Sequence, residues 1–254
     1  MQTSRRWILA ALVVASAIPA VTSSLTAQIR SRPRAPIEVP SRFTIGGDLL
    51  VSQPKGELDE QIDNGFGGNL YGLFRIDREG AFSIRGDIGG LQYGSETIRV
   101  PGYALTGRVG LRVNTTNNIF WGSIGPQFTV PLGPVRPYAN VAVGVMHFAT
   151  TSSLRGDDGY NSYAFGTTDN QSDDTGTWIF GGGLLFRLGS GRNAPFSLDV
   201  GGRYFTGGEA TYLREGAIRD NPDGSVTLFP SHSKTDQVHW YVGVSYTIPR
   251  TIRR

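Results

Sequence analysis

Residues 238–248 read Val-His-Trp-Tyr-Val-Gly-Val-Ser-Tyr-Thr-Ile, and every second residue from Val238 to Ile248 is apolar. The alternate positions are mostly polar or small, as at His239, Ser245 and Thr247. Because successive side chains of a β-strand point to opposite faces, this pattern predicts a strand with one apolar face. Its length matches that of a tilted strand crossing a bilayer, about 9–11 residues.

The same period-two pattern recurs along the chain, and no segment sustains helical spacing. It predicts seven further strands, at Phe43–Gln53, Phe66–Ile76, Phe82–Tyr93, Ile119–Val130, Val135–Phe148, Trp178–Leu188 and Phe196–Phe205. The connections between the strands alternate between long and short. The short connections are Asp77–Gly80, Pro131–Pro134 and Gly189–Ala194, and the long ones are Pro54–Gly65, Gly94–Asn118, Thr150–Thr177 and Thr206–Gln237.

This alternation predicts the fold class: all-β, an antiparallel up-and-down transmembrane β-barrel of eight strands over residues 43–248. An even strand number places both termini on the periplasmic side, with short turns there and long loops outside. Ala104–Val113 also alternates, so a ten-stranded barrel is the alternative. In an eight-stranded barrel this segment belongs to a long second loop, or it extends the third and fourth strands beyond the membrane.

The N-terminal residues indicate export. Two arginines in Met1–Arg6 precede the apolar run Trp7–Ala20, which is too short to span a bilayer as a helix. We therefore predict a signal peptide over residues 1–27, with cleavage after Ala27 as the first choice and after Ala20 as the second. Residues 28–42 are rich in Pro and Arg and are interpreted as a periplasmic linker. Residues 249–254 form a basic C-terminal tail.

Composition excludes several classes of function. Glycine accounts for 35 of the 254 residues, about twice its usual share, which suits curved strands. The absence of cysteine excludes a disulfide scaffold, a thiol nucleophile and a thiolate metal site. A net charge of +3 gives no case for nucleic-acid binding. No motif indicates a cofactor or metal, because the spacing of the acidic residues between Asp157 and Asp174 fits no EF-hand.

The two faces of the predicted strands give two sets of candidate residues. Charged residues on the face opposite the apolar one must point inward, because a charge facing hydrocarbon costs several kcal/mol. Eight strands leave room for side chains but not for a wide pore, so we expect the charges to pair. The predicted interior set is Asp48, Arg75, Arg85, Asp87, Arg187, Asp199 and Arg203. The predicted periplasmic aromatic girdle is Phe43, Phe74, Phe82, Phe128, Phe186, Phe196 and Tyr246, and candidates for the outer girdle are Phe66, Trp121, Trp178, Tyr204 and Trp240.

The pattern resembles the small outer-membrane β-barrel proteins of diderm bacteria. The turn Gly133–Tyr138 with the strand Val141–Val145, and the segment Leu198–Tyr204, are similar to elements of that family. The resemblance covers residues 43–248 and implies an outer-membrane location among lipid and lipopolysaccharide, with insertion by the barrel-assembly machinery. The chain departs from the family pattern at its end, because residues 249–254 follow the last strand and do not finish on an aromatic residue.

Four functions are compatible with this sequence. The leading hypothesis is a non-enzymatic structural or surface-interaction barrel, with a surface partner that the sequence does not identify. A narrow porin-like channel is the second. A lipid-modifying enzyme is the third, with His232 as its best candidate base, but no Gly-x-Ser-x-Gly motif is present. A soluble lipocalin-like carrier, with the apolar face inside, is the fourth.

Overall fold

The computed structural model describes residues 42–77, 79–100, 111–131, 133–156, 164–189, 195–221 and 225–248. The predicted signal peptide, nearly all of the predicted linker and the basic tail lie outside these residues. Within them, no helix is long and apolar enough to cross a membrane.

Eight long strands form one closed sheet. They are β1 (Phe43–Pro54), β2 (Gly65–Arg75), β3 (Phe82–Val100), β4 (Leu111–Thr129), β5 (Val135–Gly156), β6 (Ala164–Leu188), β7 (Phe196–Gly207) and β12 (Gln237–Thr247). A 3-10 helix, Gly56–Glu60, follows β1. Four short strands lie between β7 and β12: β8 (Glu209–Tyr212), β9 (Ile218–Asp220), β10 (Val226–Leu228) and β11 (Ser231–Lys234).

The ring closes between the first and last strands. β1 pairs antiparallel with β2 on one side and with β12 on the other, from Thr44 opposite Thr247 to Pro54 opposite Gln237. β12 also pairs antiparallel with β7, and every remaining neighbouring pair in the ring is consecutive in the chain and antiparallel. The predicted eight-stranded up-and-down barrel is therefore confirmed, and the ten-stranded alternative is wrong. Closure pairs the strand edges, which a sheet within a bilayer requires.

Strands β3 to β6 continue well beyond the ends of β2 and β7. The β3–β4 ladder reaches Val100 opposite Leu111, and the β5–β6 ladder reaches Arg155 opposite Ala164. We call this extension the outer sheet; it comprises residues 94–100, 111–117, 150–156 and 164–172. Leu111–Val113 belongs to β4, so the interpretation as a strand extension is confirmed there.

The interpretation of Thr150–Thr177 as a loop is therefore wrong, and for Gly94–Asn118 the alternative of extended strands applies to much of the segment. Much of Gly94–Asn118 and Thr150–Thr177 is strand within the described residues. Most residues of the outer sheet are polar, so the alternation between apolar and polar positions is confined to short stretches such as 98–100 and 111–113. The remaining evidence for strands in these segments is the β propensity of their Thr residues, which predicts a strand less reliably than periodicity does.

The first short connection shows why the turns are tight. Asp77 accepts hydrogen bonds from the backbone N–H groups of Ala81 and Phe82, at 3.0 and 2.9 Å. Gly80 has a φ of 78°, a conformation that other residues rarely adopt. Burial alone would raise the pKa of Asp77, but these backbone donors outweigh it and lower the pKa.

Candidate functional site

The outer wall of the barrel is apolar. Large apolar side chains on alternate positions of every ring strand are exposed, including Leu49, Leu70, Ile88, Ile124, Val143, Trp178, Phe180, Val200, Val242 and Val244. Leaving this much apolar area in water is unfavourable by about 25 cal/mol per Å². The inward residues of the same strands are buried and largely polar. This is the arrangement of a barrel in lipid, and it is the reverse of a lipocalin.

A group of charged residues fills the middle of the lumen, the interior that the eight strands enclose. Asp87 accepts hydrogen bonds from Arg85 Nε at 3.0 Å, from Arg203 Nη1 at 2.9 Å and from Asn69 Nδ2 at 3.0 Å. Arg85 is 1 % exposed, and its Nη2 lies 3.8 Å from Asp48 Oδ2. We call Asp48, Arg85, Asp87, Asp199 and Arg203 the central cluster. Here each arginine lies beside a carboxylate, as a buried charge requires.

Three tyrosines surround the fully buried Asp199 and belong to the same region. The hydroxyl groups of Tyr71 and Tyr138 each donate a 2.7 Å hydrogen bond to its carboxylate. The Tyr138 hydroxyl also bonds that of Tyr241. The Arg85 guanidinium lies 3.7 Å above the centre of the Tyr71 ring. These contacts give the carboxylate and the guanidinium partners that water would otherwise supply.

Each of these tyrosines lies opposite a glycine on the neighbouring strand. Tyr71 pairs with Gly46, Tyr138 with Gly183 and Tyr241 with Gly201. A Cβ atom built on any of the three glycines would collide with the facing ring. The glycines therefore make the space in which the tyrosines lie across the lumen. None of the three tyrosines belongs to the predicted interior set, although the inward parity of Tyr71 and Tyr241 follows from the alternation.

Two members of the predicted interior set lie away from the central cluster. Arg75 and Arg187 are near the periplasmic ends of β2 and β6, opposite Ser83 and Ser197. Their nearest charged neighbours include Arg136, whose Nη2 donates to Ser197 Oγ at 3.1 Å. The alternation predicts which face of its strand a residue occupies. It does not predict which residues of other strands that residue contacts across the lumen. The structure therefore does not bring all seven charges together.

Above the central cluster the lumen is filled by aromatic and apolar side chains. Trp121 is buried and packs edge-on against Phe205 and His239, with ring centres 5.8 and 5.1 Å apart. The prediction that Trp121 belongs to the outer girdle is therefore wrong, because its side chain lies on the inward face of β4. His239 is also fully buried against Phe205, and Met146 lies in the same apolar cluster.

The outer end of the lumen is covered by two chain segments, the 3-10 helix and residues 208–217, which we call the outer plug. Leu58 and Leu213 are completely buried. The Tyr212 ring stacks on Phe148 at 5.4 Å, and the Tyr93 hydroxyl donates to the Leu213 carbonyl oxygen at 2.9 Å. Apolar burial and hydrogen bonds thus hold the outer plug against the barrel wall.

A carboxylate on β6 anchors the outer plug at its side. Asp173 Oδ2 accepts a 2.7 Å hydrogen bond from the backbone N–H of Thr211. This bond outweighs the effect of burial and lowers the pKa of Asp173. Asp173 lies beyond Trp178 on the outer side, in the part of β6 that we place outside the membrane.

Six of the seven predicted periplasmic girdle residues lie in three cross-strand pairs. Phe43 is 5.0 Å from Phe74, Phe82 is 5.2 Å from Phe128, and Phe196 is 5.0 Å from Tyr246, measured between ring centres. Phe186 lies opposite Val135 and Leu198. The candidates Phe66, Trp178, Tyr204 and Trp240 point outward at the other end of the strands.

The histidines do not assemble a metal site. His147 Nδ1 lies 2.8 Å from Asp174 Oδ1, and both are exposed. His232 lies between Thr211 Oγ1, at 3.1 Å from its Nδ1, and Glu209 Oε2, at 3.4 Å from its Nε2. Among the described residues, no group of three or more His, Asp or Glu side chains could hold a metal ion. Part of the acidic stretch lies outside those residues.

Closed antiparallel pairing, an apolar wall and a polar lumen together define a small outer-membrane β-barrel. Its eight strands surround a lumen filled with side chains, and its outer wall lies in the lipid of the bacterial outer membrane.

Comparisons with known proteins place the chain beside distant barrels. No family model and no curated protein matches. Among solved structures the chain is similar to Neisserial surface protein A (13 % identity over 83 % of this chain and 100 % of that one, TM-score 0.47). It is also similar to a major outer membrane protein from Thermus thermophilus (14 % identity over 80 % of this chain and 98 % of that one, TM-score 0.45). The attachment invasion locus protein Ail of Yersinia pestis is similar as well (18 % identity over 82 % of this chain and 98 % of that one, TM-score 0.41).

Proposed function

We propose that this protein is a non-conducting outer-membrane barrel with a non-enzymatic structural or surface-interaction role. The supporting observation is the continuous filling of the lumen. The central cluster, the aromatic layer around Trp121 and the outer plug follow one another from the middle of the barrel to its outer end. A barrel filled in this way offers its outer surface, rather than its interior, to other molecules.

Electrical recording tests this proposal against a narrow channel. The protein is reconstituted into planar bilayers, and its insertion is verified by the shift of its gel band on boiling. We expect no steady single-channel conductance from the wild type. A steady conductance that changes in Arg85→Ala but not in Ile88→Ala, a substitution on the lipid side, would support the channel and contradict the proposal.

We propose that assembly follows the route that the sequence indicates. The signal peptide 1–27 would direct export, and the barrel-assembly machinery would insert the chain despite the basic tail 249–254. N-terminal sequencing of the mature protein should start at Gln28. Deleting residues 249–254 should leave the heat-modifiable band in the outer-membrane fraction, because β12 already closes the ring. A mature chain that starts at Met1 would contradict the export step.

A lipid-modifying hydrolase is a second candidate, favoured by the placement of His232 between Thr211 and Glu209. A histidine between a hydroxyl and a carboxylate is the arrangement that activates a nucleophile. All three side chains lie on the β8–β11 hairpin, where cross-strand neighbours meet in any case. Lipid profiles of strains carrying His232→Ala and, as control, His147→Ala decide between the non-enzymatic role and the hydrolase. A change confined to His232→Ala would favour the enzyme.

A further inference from the structure

Three inward-facing arginines lie at the periplasmic end of the lumen. Arg136 Nη2 donates a 3.1 Å hydrogen bond to Ser197 Oγ, and Arg187 is directly opposite Ser197 in the β6–β7 ladder. Arg75 Nη2 lies 3.5 Å from Thr44 Oγ1 on the neighbouring β1. Each of the three arginines is half-buried, and their charges lie close enough to act on one another. We call Arg75, Arg136 and Arg187 the periplasmic arginines.

The described carboxylates at this end do not balance the positive charges. They are Asp77 and Glu79, both in the turn between β2 and β3. Asp77 lies near Arg75, and it also accepts the backbone hydrogen bonds of that turn. Within the described part of the chain, no carboxylate forms an ion pair with Arg136 or Arg187, and the buried Nε of Arg136 has no hydrogen-bond partner. A positive excess therefore remains at these two residues, and partly buried charges of one sign favour a compensating anion.

The rest of the chain is charged in the same unequal way. The predicted linker, residues 28–41, contains three arginines and one glutamate, and the tail 249–254 contains three arginines and no acidic residue. The four long connections, which belong to the opposite end of the barrel, contain fifteen acidic and eight basic residues. A polyanion is therefore attracted to the periplasmic end of this protein and repelled from its outer end.

The periplasmic arginines face away from lipid. Their neighbours in the chain, Phe74, Val135 and Leu188, are exposed on the apolar wall, whereas the arginines occupy the other face of the same strands. The strands therefore separate the guanidinium groups from the headgroups of the surrounding inner leaflet. Towards the outside, the central cluster and the outer plug fill the lumen. A ligand for these arginines therefore approaches from the periplasm.

The ligand that fits this end is a short peptide with free carboxylates. A guanidinium group binds a carboxylate through two parallel hydrogen bonds. The end of an eight-stranded barrel is narrow, so it admits a slender chain rather than the surface of a folded protein. The cell wall of a diderm bacterium lies beneath the outer membrane and carries such acidic peptides. Residues 28–41 span at most about 48 Å, at about 3.4 Å per residue, so their arginines reach towards the same polymer.

We propose that the periplasmic arginines bind the acidic peptides of the cell wall and thereby tether the outer membrane to it. This deepens the proposed structural role and rests on it. Arg136 and Arg187 bind the carboxylates, and the basic linker and tail raise the local concentration of the polymer. The tether is noncovalent, so it weakens when salt screens the charges.

The test measures co-sedimentation of the full mature protein, in a nonionic detergent, with isolated cell-wall sacculi. The variant is R136Q/R187Q. The matched control is R99Q/R155Q, which removes the same charge from two exposed positions of the outer sheet. Sacculi whose carboxylates have been converted to amides are the ligand control. A band that still shifts on boiling shows that each variant is folded.

We expect the wild type to sediment with sacculi at low salt, to be released at high salt, and not to bind the amidated sacculi. Each guanidinium–carboxylate contact contributes about tenfold, so R136Q/R187Q should bind about a hundredfold more weakly. R99Q/R155Q should bind as the wild type does.

Equal binding by the wild type and R136Q/R187Q would overturn the proposal. So would an equal loss in R99Q/R155Q, or undiminished binding to amidated sacculi. Calorimetry with short-chain phosphatidylglycerol, below its critical micelle concentration, tests the phosphates of the inner leaflet instead. A wild type that binds this lipid through Arg136 and Arg187 but does not sediment with sacculi would also overturn the tether.

Bilayer conductance separates this proposal from the filled lumen. A silent barrel that does not sediment with sacculi would overturn the tether alone. A conducting barrel that sediments through Arg136 and Arg187 would overturn the filled lumen alone.

Discussion

The arginines inside the lumen and those on the outer sheet carry the same guanidinium group but differ in burial and in the residues that they face. Arg85 and Arg203 are buried, and both reach Asp87 at 3.0 Å or less. Arg99 and Arg155 are exposed, and their strand partner is another arginine. Buried charges persist in a fold only when opposite charges compensate them, whereas an exposed row of like charges persists at a small cost. The charges of the inner arginines are therefore compensated within the fold, whereas Arg99 and Arg155 lie at a surface that solvent reaches.

The largest effect is expected from removing the carboxylate that the inner arginines share. Asp87→Ala leaves two buried guanidinium groups without it and should lower the free energy of unfolding by about 3–5 kcal/mol. The measurement is urea unfolding in liposomes, followed by the heat-dependent band shift. Ile88→Ala, at the next residue but facing lipid, is the control. Equal midpoints for the two variants would show that the inner charges do not stabilise the fold.

The next effect concerns the space that the tyrosines need. A Cβ at Gly201 would collide with the Tyr241 ring, whereas a Cβ at Gly72 meets nothing within 4 Å. Gly201→Ala should therefore lower the free energy of unfolding by about 1–3 kcal/mol, as overpacking does. Gly72→Ala should be neutral or slightly stabilising in the same assay. If both alanines were tolerated equally, the lumen would be looser than described.

A smaller effect is expected where the outer plug meets β6. Asp173→Asn removes the charge that accepts the Thr211 N–H and should destabilise by no more than about 0.5 kcal/mol, because solvent screens the site. Because folding lowers the pKa of Asp173, the charged carboxylate contributes to stability at neutral pH. This contribution is lost as the pH falls through the lowered pKa. The difference between wild type and Asp173→Asn should therefore vanish in acid. Asp169→Asn, on the same strand, is the control, and a difference that grows in acid would contradict the assignment.

The smallest effect has the opposite sign. Arg155→Thr removes one like-charge contact with Arg112 and should raise the free energy of unfolding by a few tenths of a kcal/mol at low salt. The gain should disappear at high salt, where the repulsion is screened. A loss of stability in Arg155→Thr at low salt would mean that Arg155 makes favourable contacts within the protein that outweigh the repulsion.

Much of the fold could be predicted, because the apolar wall imposes period two on every strand. The inward parity of Asp48, Arg85 and Asp199 follows from that period alone, and the number of strands follows once the alternation of long and short connections is added. Which residues meet across the lumen depends on strand stagger, which alternation does not encode. Arg75 and Arg187 were therefore grouped with charges that lie at another height in the lumen. The tyrosine–glycine pairs carry a usable signal, because a large inward ring needs a small residue opposite it.

The outer half of the molecule was harder to predict for a different reason. The outer sheet has polar residues on both faces, so its strands resemble loops in sequence. The burial of Leu58 and Leu213 in the outer plug depends on contacts between distant segments, and short apolar residues within a polar connection do not reveal it. The alignment of Arg99, Arg112 and Arg155 across three strands emerges only from the register, since these residues lie far apart in the chain.

The direction of the apolar face is the central claim, and site-directed spin labelling tests it most directly. The chain has no cysteine, so single labels can be placed at Val143→Cys and Val242→Cys on the wall and at Ser153→Cys on the outer sheet. In liposomes, the two wall labels should be accessible to oxygen and protected from a water-soluble nickel complex. The label at Ser153 should be accessible to nickel. Wall labels that oxygen does not reach, in a protein that stays in the aqueous fraction, would mean that the apolar faces point inward.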